Sequence, residues 1–427
     1  MRLVLVDVNP DVRSNFHPLS FSRPIWELRC GITSLAEKII AKVGASDLAC
    51  FVPEYMAASY KVKTAMPVND TSKLAGDLLL VDPRVKAGPF NVTAKGPSEV
   101  GLDEAGNVLY ARIAVADLAK LPTDDVSRLL AAAKDKLPKS GAKLEVWQYT
   151  WDLVLASPHQ IAADFKTIGR SGIEGKIEEP NAVRGARKDV FIGKDSLIHP
   201  MVVLDAANGP IYLDEGVEVH PFTRIEGPCF VGRKSILLGA KCREGNSIGP
   251  TCRVGGEVEE SIIQGCSNKY HDGFLGHAYV GEWVNLGALT TNSDLKNDYG
   301  SVEVIMPGRR PIDTGSTKVG SIIGDHTKTS IGTLLNTGSY VGAMALIMAT
   351  GKPLPKTIPS FAWFLEGVVT KGFGKGKLYG TAEIAMGRRK CKWTEAERAM
   401  WDAVYEMTAP QRDEAVRRGR KKMAGGK

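Results

Sequence analysis

No apolar run in these 427 residues approaches the ~20 that a membrane-spanning helix needs, so the expectation is a soluble, cytoplasmic protein with no membrane partner. The opening Met1–Asp7 stretch is too short for a signal-peptide core and reads as a first strand. Cysteine is scarce and unpatterned. Cys30, Cys50, Cys229, Cys242, Cys252, Cys266 and Cys391 form no CxxC pair and no even framework, which argues against disulfides and structural zinc. Most of the chain also lacks net charge. The formal +7 arises from residues 371–427, where 15 Lys and Arg face 7 Asp and Glu, while the other 370 residues are close to neutral. Those basic residues are not interleaved with aromatics, so no nucleic-acid partner is expected. A solvated tail and a binding segment for an anionic ligand are the two readings of that charge.

A chain of this length divides into two or three domains. Leu3–Val6, Ala49–Val52 and Leu78–Val81 are short apolar runs suited to buried parallel strands, separated by helical patterns at Ile32–Val43 and Val126–Leu137. With the amphipathic stretch Trp151–Phe165, they predict an α/β domain over residues 1–167. Residues 168–188 are rich in glycine and charge without a period, and read as a linker.

From residue 189 to 352 an aliphatic residue recurs at every sixth position. One register runs through Ile192, Ile198 and Leu204, and the next through Leu213, Val219, Ile225, Val231 and Leu237. Ile248 and Val254, then Val280 and Leu286, then Ile323, Leu335, Val341 and Ile347 continue it, with Thr329 in one vacant place. Glycine often follows, as at Gly193, Gly232 and Gly249. Six matches neither the helical nor the strand period. It does match a parallel β-helix in which each hexad forms one flat side, three make a coil, and the aliphatic residue points inward. Two stretches, Glu259–Gly273 and Ser293–Val319, break the hexads and read as protruding, functional loops. Residues 353–427 form a basic helical extension, with capping boxes expected at Thr394/Glu397 and Thr408/Gln411.

His271-Asp272-Gly273-Phe274-Leu275-Gly276, followed by Val280-Gly281-Glu282-Trp283-Val284-Asn285-Leu286-Gly287-Ala288, resembles the acetyltransferase half of one enzyme family. These are the bifunctional N-acetylglucosamine-1-phosphate uridyltransferase/glucosamine-1-phosphate acetyltransferases. The resemblance extends to archaeal sugar-1-phosphate nucleotidyltransferase/acetyltransferases over Gly308-Arg309-Arg310 to Gly324, and is strong over about 190–350 and weak before it. It implies a left-handed β-helix, a homotrimer, acetyl-coenzyme A as acyl donor and a sugar phosphate as acceptor. His271 then stands at the base position, and an imidazole with a pKa near ~6.5 is suited to take a proton from an attacking amine. Asn285 matches an orienting asparagine and Ala288 a backbone donor to the oxyanion. Phe274 stands where the family has tyrosine, Asp294 where it has asparagine, and Arg253 and Lys269 are nearest to its phosphate-binding residues. Arg388, Arg389 and Lys390 are the candidates for the coenzyme's phosphates. His199, His220, His277 and His326 read as surface histidines, and Cys266 as a small core residue.

The family's N-terminal half binds a nucleoside triphosphate, here UTP, with Mg2+. His17-Pro18-Leu19-Ser20-Phe21-Ser22-Arg23-Pro24 resembles the segment that precedes its lysine, but Ile25 occupies the lysine position. Arg13, Arg23 and Arg29 are the candidate phosphate ligands. Asp82 and Glu145 are the candidate metal carboxylates, although Arg84 occupies the position that matches the family's aspartate. Three readings follow: a bifunctional sugar-1-phosphate nucleotidyltransferase/N-acetyltransferase making a nucleotide sugar such as UDP-N-acetylglucosamine, an acyltransferase with a non-catalytic N-terminal domain, and a non-catalytic solenoid scaffold.

Overall fold

Alternation within short apolar runs builds the first sheet. In β1 (Arg2–Val6), Leu3 and Leu5 enter one buried cluster and Val4 and Val6 the opposite one. β1 lies between β2 (Leu48–Phe51) and β3 (Leu78–Val81), parallel to both. β4 (Glu99–Leu102) and β5 (Val108–Ile113) complete the mixed order β2-β1-β3-β5-β4, with β5 antiparallel to both its neighbours. The structure, a computed structural model, describes residues 1–93 and 95–425. Two short helices, α1 (Pro10–Ser14) and α4 (Val115–Leu118), flank the sheet, and α2 (Leu35–Val43), α3 (Glu54–Lys61) and α5 (Val126–Lys136) cover it. α2 starts in a capping box between Ser34 and Glu37 and stops at Gly44 in the left-handed region, φ 66°. α6 (Thr150–Ile168) leads from this domain toward the solenoid.

The hexad aliphatics behave as the period demands. Ile192, Leu213, Val231, Ile248, Ile263, Val280, Ile323, Val341 and Ile358 stack in register along one wall, part of a ten-stranded parallel sheet. All sixteen aliphatics of the predicted registers lie in a single buried cluster. Each fully buried aliphatic contributes roughly 1.5–3 kcal/mol, so this column dominates the solenoid's stability.

Four features depart from the sequence reading. First, the expected linker at 168–188 is the first coil, where Ile173 pairs with Ile192, Ile177 with Ile198 and Val183 with Leu204. Its outward charges hid the period. Second, the coils run beyond 352 to the strand Trp363–Leu365, which Val368–Thr370 pairs antiparallel.

Third, most of each interruption is ordered structure and not a protruding loop. Within 259–273 the strands Ile262–Gly265 and Asn268–Lys269 keep register, and only Tyr270–Gly273 leaves it. Within 293–319, Glu303–Val304 and Ile312–Asp313 form a hairpin that buries Val302, Val304 and Met306 against Trp151 of α6. Arg309 of this insertion donates to Asn15 at 2.7 Å, tying it to the first domain.

Fourth, the C-terminal helices α7 (Gly374–Gly387), α8 (Glu395–Met407) and α9 (Ala409–Gly425) are not a solvated tail. Met400, Trp401 and Val404 of α8 join Met56 and Tyr60 of α3 and Phe361 of the solenoid in one core. The Thr394/Glu397 box forms, whereas Thr408 donates to the Val404 carbonyl at 2.8 Å and so closes α8. Among the described residues, no helix is long and apolar enough to cross a membrane.

Candidate active site

Asn268 and Lys269 form a short strand stacked on Arg253 and Val254 of the preceding coil. Lys269 thereby takes the inward register of Val254 and is buried, its ammonium donating to the carbonyls of Gly255 at 2.9 Å and His271 at 2.8 Å. Burial pulls its pKa down to about 8. Lys269 is therefore a brace for the Tyr270–Gly273 turn, not the free cation expected for a sugar phosphate. The turn holds the His271 ring exposed beside Tyr270, 4.8 Å between ring centroids. One coil further on, Leu289 donates its N–H to Asp272 at 2.7 Å, and Gly273, at φ +127°, presses where a Cβ would meet the Thr290 carbonyl. The turn carrying His271 and the turn carrying Ala288 are thus in backbone contact. Phe274, half-buried, accompanies them, its N–H donating to Thr291 at 3.3 Å.

The solenoid wall and the end of α7 enclose a cavity of about 230 Å³, which neither His271 nor Ala288 lines. Asn268, Trp283, Asn285 and Lys328 line it from the solenoid, and Arg388 and Arg389 from α7 and its end. Residues separated by a hundred positions in sequence, Asn285 and the Arg388-Arg389 pair, line one cavity. The Asn285 Oδ1 accepts from the Asn268 Nδ2 at 3.2 Å, and Arg389 donates to the Asn268 side-chain Oδ1 at 2.8 Å. The Arg389 Nε is buried without a partner. Burial holds Lys328 at about 8 while it donates to the carbonyls of Trp283 and His326. Burial and the Arg389 charge both lower the pKa of Arg253, which places these two guanidinium groups within each other's field. No carboxylate lines the cavity among the described residues. An orphaned guanidinium N–H in a carboxylate-free, cationic hollow fits phosphoryl oxygens. Lys390 is exposed beyond it.

The two histidines most misjudged from sequence are His277 and His326, both buried. His277 meets Asp294 at 2.8 Å through Nδ1 and Glu260 at 3.3 Å through Nε2. Burial opposes its charge, but hydrogen bonds and attraction from both carboxylates prevail and raise its pKa to about 9. Asp294 is thereby committed to an imidazolium and is not available to a sugar. Sequence carried a trace of this pair, because Asp294 replaces the family's asparagine.

In the first domain the expected phosphate and metal ligands are engaged within the fold, save for the Arg29 Nε, which is buried without a partner. Arg13 is buried against Asp7 and the Ser20 carbonyl. Arg23 crosses to the solenoid, pairing with Asp325 at 2.6 Å and Glu282 at 3.1 Å on the wall of an interdomain cavity of about 350 Å³. Arg29 donates to the Ile32 carbonyl and lies over the Phe230 ring at 5.2 Å. Arg84 grips Asp82 through Nε at 3.0 Å and Nη2 at 3.2 Å, and reaches Asp103 at 3.3 Å. Burial raises the Asp82 pKa despite this guanidinium. Glu145 is exposed and pairs with Lys86 at 3.1 Å. Asp82 and Glu145 do not fit Mg2+ in this arrangement: the Arg84 guanidinium covers the first, and the second pairs with Lys86. Nothing local in sequence pairs Arg23 with Asp325, 302 residues away.

A protein-family profile described as sugar nucleotidyl transferase matches residues 3–171. The bifunctional sugar-1-phosphate nucleotidylyltransferase/acetyltransferase of Sulfurisphaera tokodaii is 34% identical over 150 residues, 33% of this chain and 35% of that protein. The bifunctional protein GlmU of Jannaschia sp. is 32% identical over 123 residues, 28% of this chain and 26% of the relative. That of Heliobacterium modesticaldum is 28% identical over 193 residues, 41% of this chain and 37% of the relative. Among solved structures, a UDP-N-acetylglucosamine acyltransferase aligns at 16% identity and a TM-score of 0.23, covering 58% of this chain and 93% of that one. The chain spans between about a quarter and two fifths of the length of the curated relatives it matches. It is similar to sugar nucleotidyl transferases over its first 171 residues, and to bifunctional nucleotidylyltransferase/acetyltransferases over matched segments of 123 to 193 residues.

Proposed function

We propose that the chain is a two-domain transferase acting on a sugar 1-phosphate. Its solenoid N-acylates an amino sugar from acyl-coenzyme A, acetyl-coenzyme A being the expected donor, and its first domain couples the product to a nucleotide such as UTP. The observation that carries the reading is the carboxylate-free cavity where Asn285 meets Lys328, Arg388 and Arg389, lined also by Asn268 of the strand that leads into the His271 turn. Arg388 and Arg389 receive the coenzyme's phosphates and Asn285 orients the acyl group. The amine attacks the thioester carbonyl carbon and passes its proton to His271. The Ala288 N–H supports the oxyanion, the C–S bond breaks, and the departing thiolate takes the proton back from His271. Tyr270 and Leu289, 43% and 60% exposed beside these turns, give a neighbouring subunit an apolar surface to cover, consistent with a homotrimer.

One observation favours the second reading, an acyltransferase whose first domain is not catalytic: the Arg84 guanidinium occupies the Asp82 carboxylate. A paired assay on the purified chain separates the two. It follows thiol release from acetyl-coenzyme A with glucosamine 1-phosphate, and pyrophosphate release from UTP with N-acetylglucosamine 1-phosphate. His271→Ala is expected to lower thiol release by roughly 10²–10⁴-fold and leave pyrophosphate release unchanged. An unaltered thiol rate sinks the assignment of His271. Absence of pyrophosphate from every triphosphate tried, with thiol release intact, selects the second reading.

A further inference from the structure

The outer surface of the first coils carries a group that the acyl-transfer chemistry does not use. Ile177, Ile198 and Val219 stack inward in register. The next residues, Glu178, His199 and His220, therefore form a column on the outer corner of three successive coils, held by the ladder bonds from Glu178 to Ile198, His199 to Val219 and His220 to Leu237. The two imidazole centroids are 4.9 Å apart, close to one rung. Glu218 sits two residues before His220, on the same side of its strand. Its Oε1 lies 3.1 Å from His199 Nε2 and 3.1 Å from His220 Nε2. On the far side of the first ring, His199 Nδ1 faces Glu178 Oε2 at 3.4 Å.

We propose that His199, His220 and Glu218 bind a divalent transition-metal ion, with zinc the best fit, and that Glu178 is a positioning residue for His199. Three observations converge on it. The ligand atoms of His199, Glu218 and His220 all lie within 4.8 Å of one another, and each residue is half-buried, so a cation reaches them without unfolding a coil. Zinc bonds to imidazole nitrogen and carboxylate oxygen of ~2.0–2.1 Å set a tetrahedral edge of about 3.3 Å, which the 3.1 Å separations approach.

The surroundings of the His199 ring are the third. Carboxylates face both of its nitrogens, Glu218 at Nε2 and Glu178 at Nδ1. A metal at Nε2 leaves Nδ1–H to donate to Glu178, the carboxylate–histidine–metal arrangement that fixes a ligand's tautomer. Imidazole with one carboxylate suits zinc, copper or nickel, and the solvent side leaves a position for water. The other histidine–carboxylate group, Glu259, Glu260 and His277, is already neutralised by Arg243, Lys318 and the imidazolium itself. The bound ion clips the second coil to the third, near the end of the solenoid where only one more coil lies outside.

The test uses the full chain stripped with a chelator and then titrated with zinc chloride by calorimetry and with cobalt chloride by visible absorption. One equivalent of zinc is expected, with cobalt bands in the intensity range of a four-coordinate site and a higher melting temperature in zinc. His199→Ala and His220→Ala each abolish that equivalent, and His199→Gln and His220→Gln do the same if an alanine variant does not fold. Glu178→Gln keeps the stoichiometry and weakens affinity by roughly 10–100-fold. Zinc binding that is absent from the parent chain, or unchanged in the folded His220 variants, overturns the proposal. An unchanged affinity in Glu178→Gln removes the positioning role.

Discussion

The first domain and the solenoid treat their cations in opposite ways. In the first domain Arg13, Arg23 and Arg84 each face a carboxylate, and their charge is consumed in holding the fold together. Around Asn285, Arg388 and Arg389 line a hollow with no carboxylate among the described residues, and their charge is left for something else, while Lys328 is spent on two carbonyls as Lys269 is. Both regions show a cluster of basic residues to anyone reading the sequence. Only the distribution of partners separates a structural arginine from a ligand-binding one, because a buried cation is held by a paired anion and a binding cation waits for one.

The largest effect should come from breaking the structural side of this contrast. Arg23 and Asp325 are both nearly inaccessible, so Arg23→Ala leaves a buried carboxylate without its partner across the domain interface. A loss of about 3–5 kcal/mol is expected in chemical denaturation. Asp325→Asn with Arg23→Met, which removes both charges, should recover much of it. A single variant as stable as the parent would mean that Arg23 is not held by this pair, and would return it to the candidate phosphate ligands.

His277 tests the same logic through pH. Its pKa is raised from the usual 6.5 to about 9 by Asp294 and Glu260, so the folded state holds a proton that the unfolded state releases earlier. The stabilisation is fully present below about pH 6.5 and disappears as pH rises through 9. It amounts to about 3 kcal/mol at its fullest. Comparing the pH profile of unfolding for the parent and His277→Gln isolates this contribution from Lys269 and Lys328, whose lowered pKa values act in the opposite direction above pH 8. If the difference between the two proteins stays constant from pH 6 to 10, the imidazolium is not what binds this cluster.

Much of the solenoid was legible because its signal is one-dimensional. An inward position repeated every sixth residue shows in the chain itself, and the sixteen aliphatics read that way all reached the core. Where outward charges surround the inward residue, as at Ile177 and Val183, the same period passes for a linker. Of the candidate site only local spacing was legible: His271 and Asn285 lie on adjacent coils, close in sequence. What joins Arg389 to Asn268, or Arg23 to Asp325, is the docking of α7 on the wall and of one domain on another. Amphipathic helices such as α8 announce that they will pack but not against what. That is why Trp401 read as part of a tail and proved to lie in the core between the two domains.

The smallest effect probes the binding side. Arg388 is exposed at the cavity rim and, unlike Arg389, makes no side-chain hydrogen bond to the solenoid among the described residues, so removing it should leave the fold intact. Arg388→Ala should raise the KM for acetyl-coenzyme A by about tenfold, the ~1.4 kcal/mol of one charge-assisted contact to a phosphate, with kcat unchanged. The increase should vanish for a donor truncated to the pantetheine thioester, which has no 3′-phosphate or diphosphate to lose. Equal KM values for parent and variant with the full coenzyme would show that the free cations serve another anion. An increase that persists with the truncated donor would place Arg388 against the acyl arm instead of the phosphates.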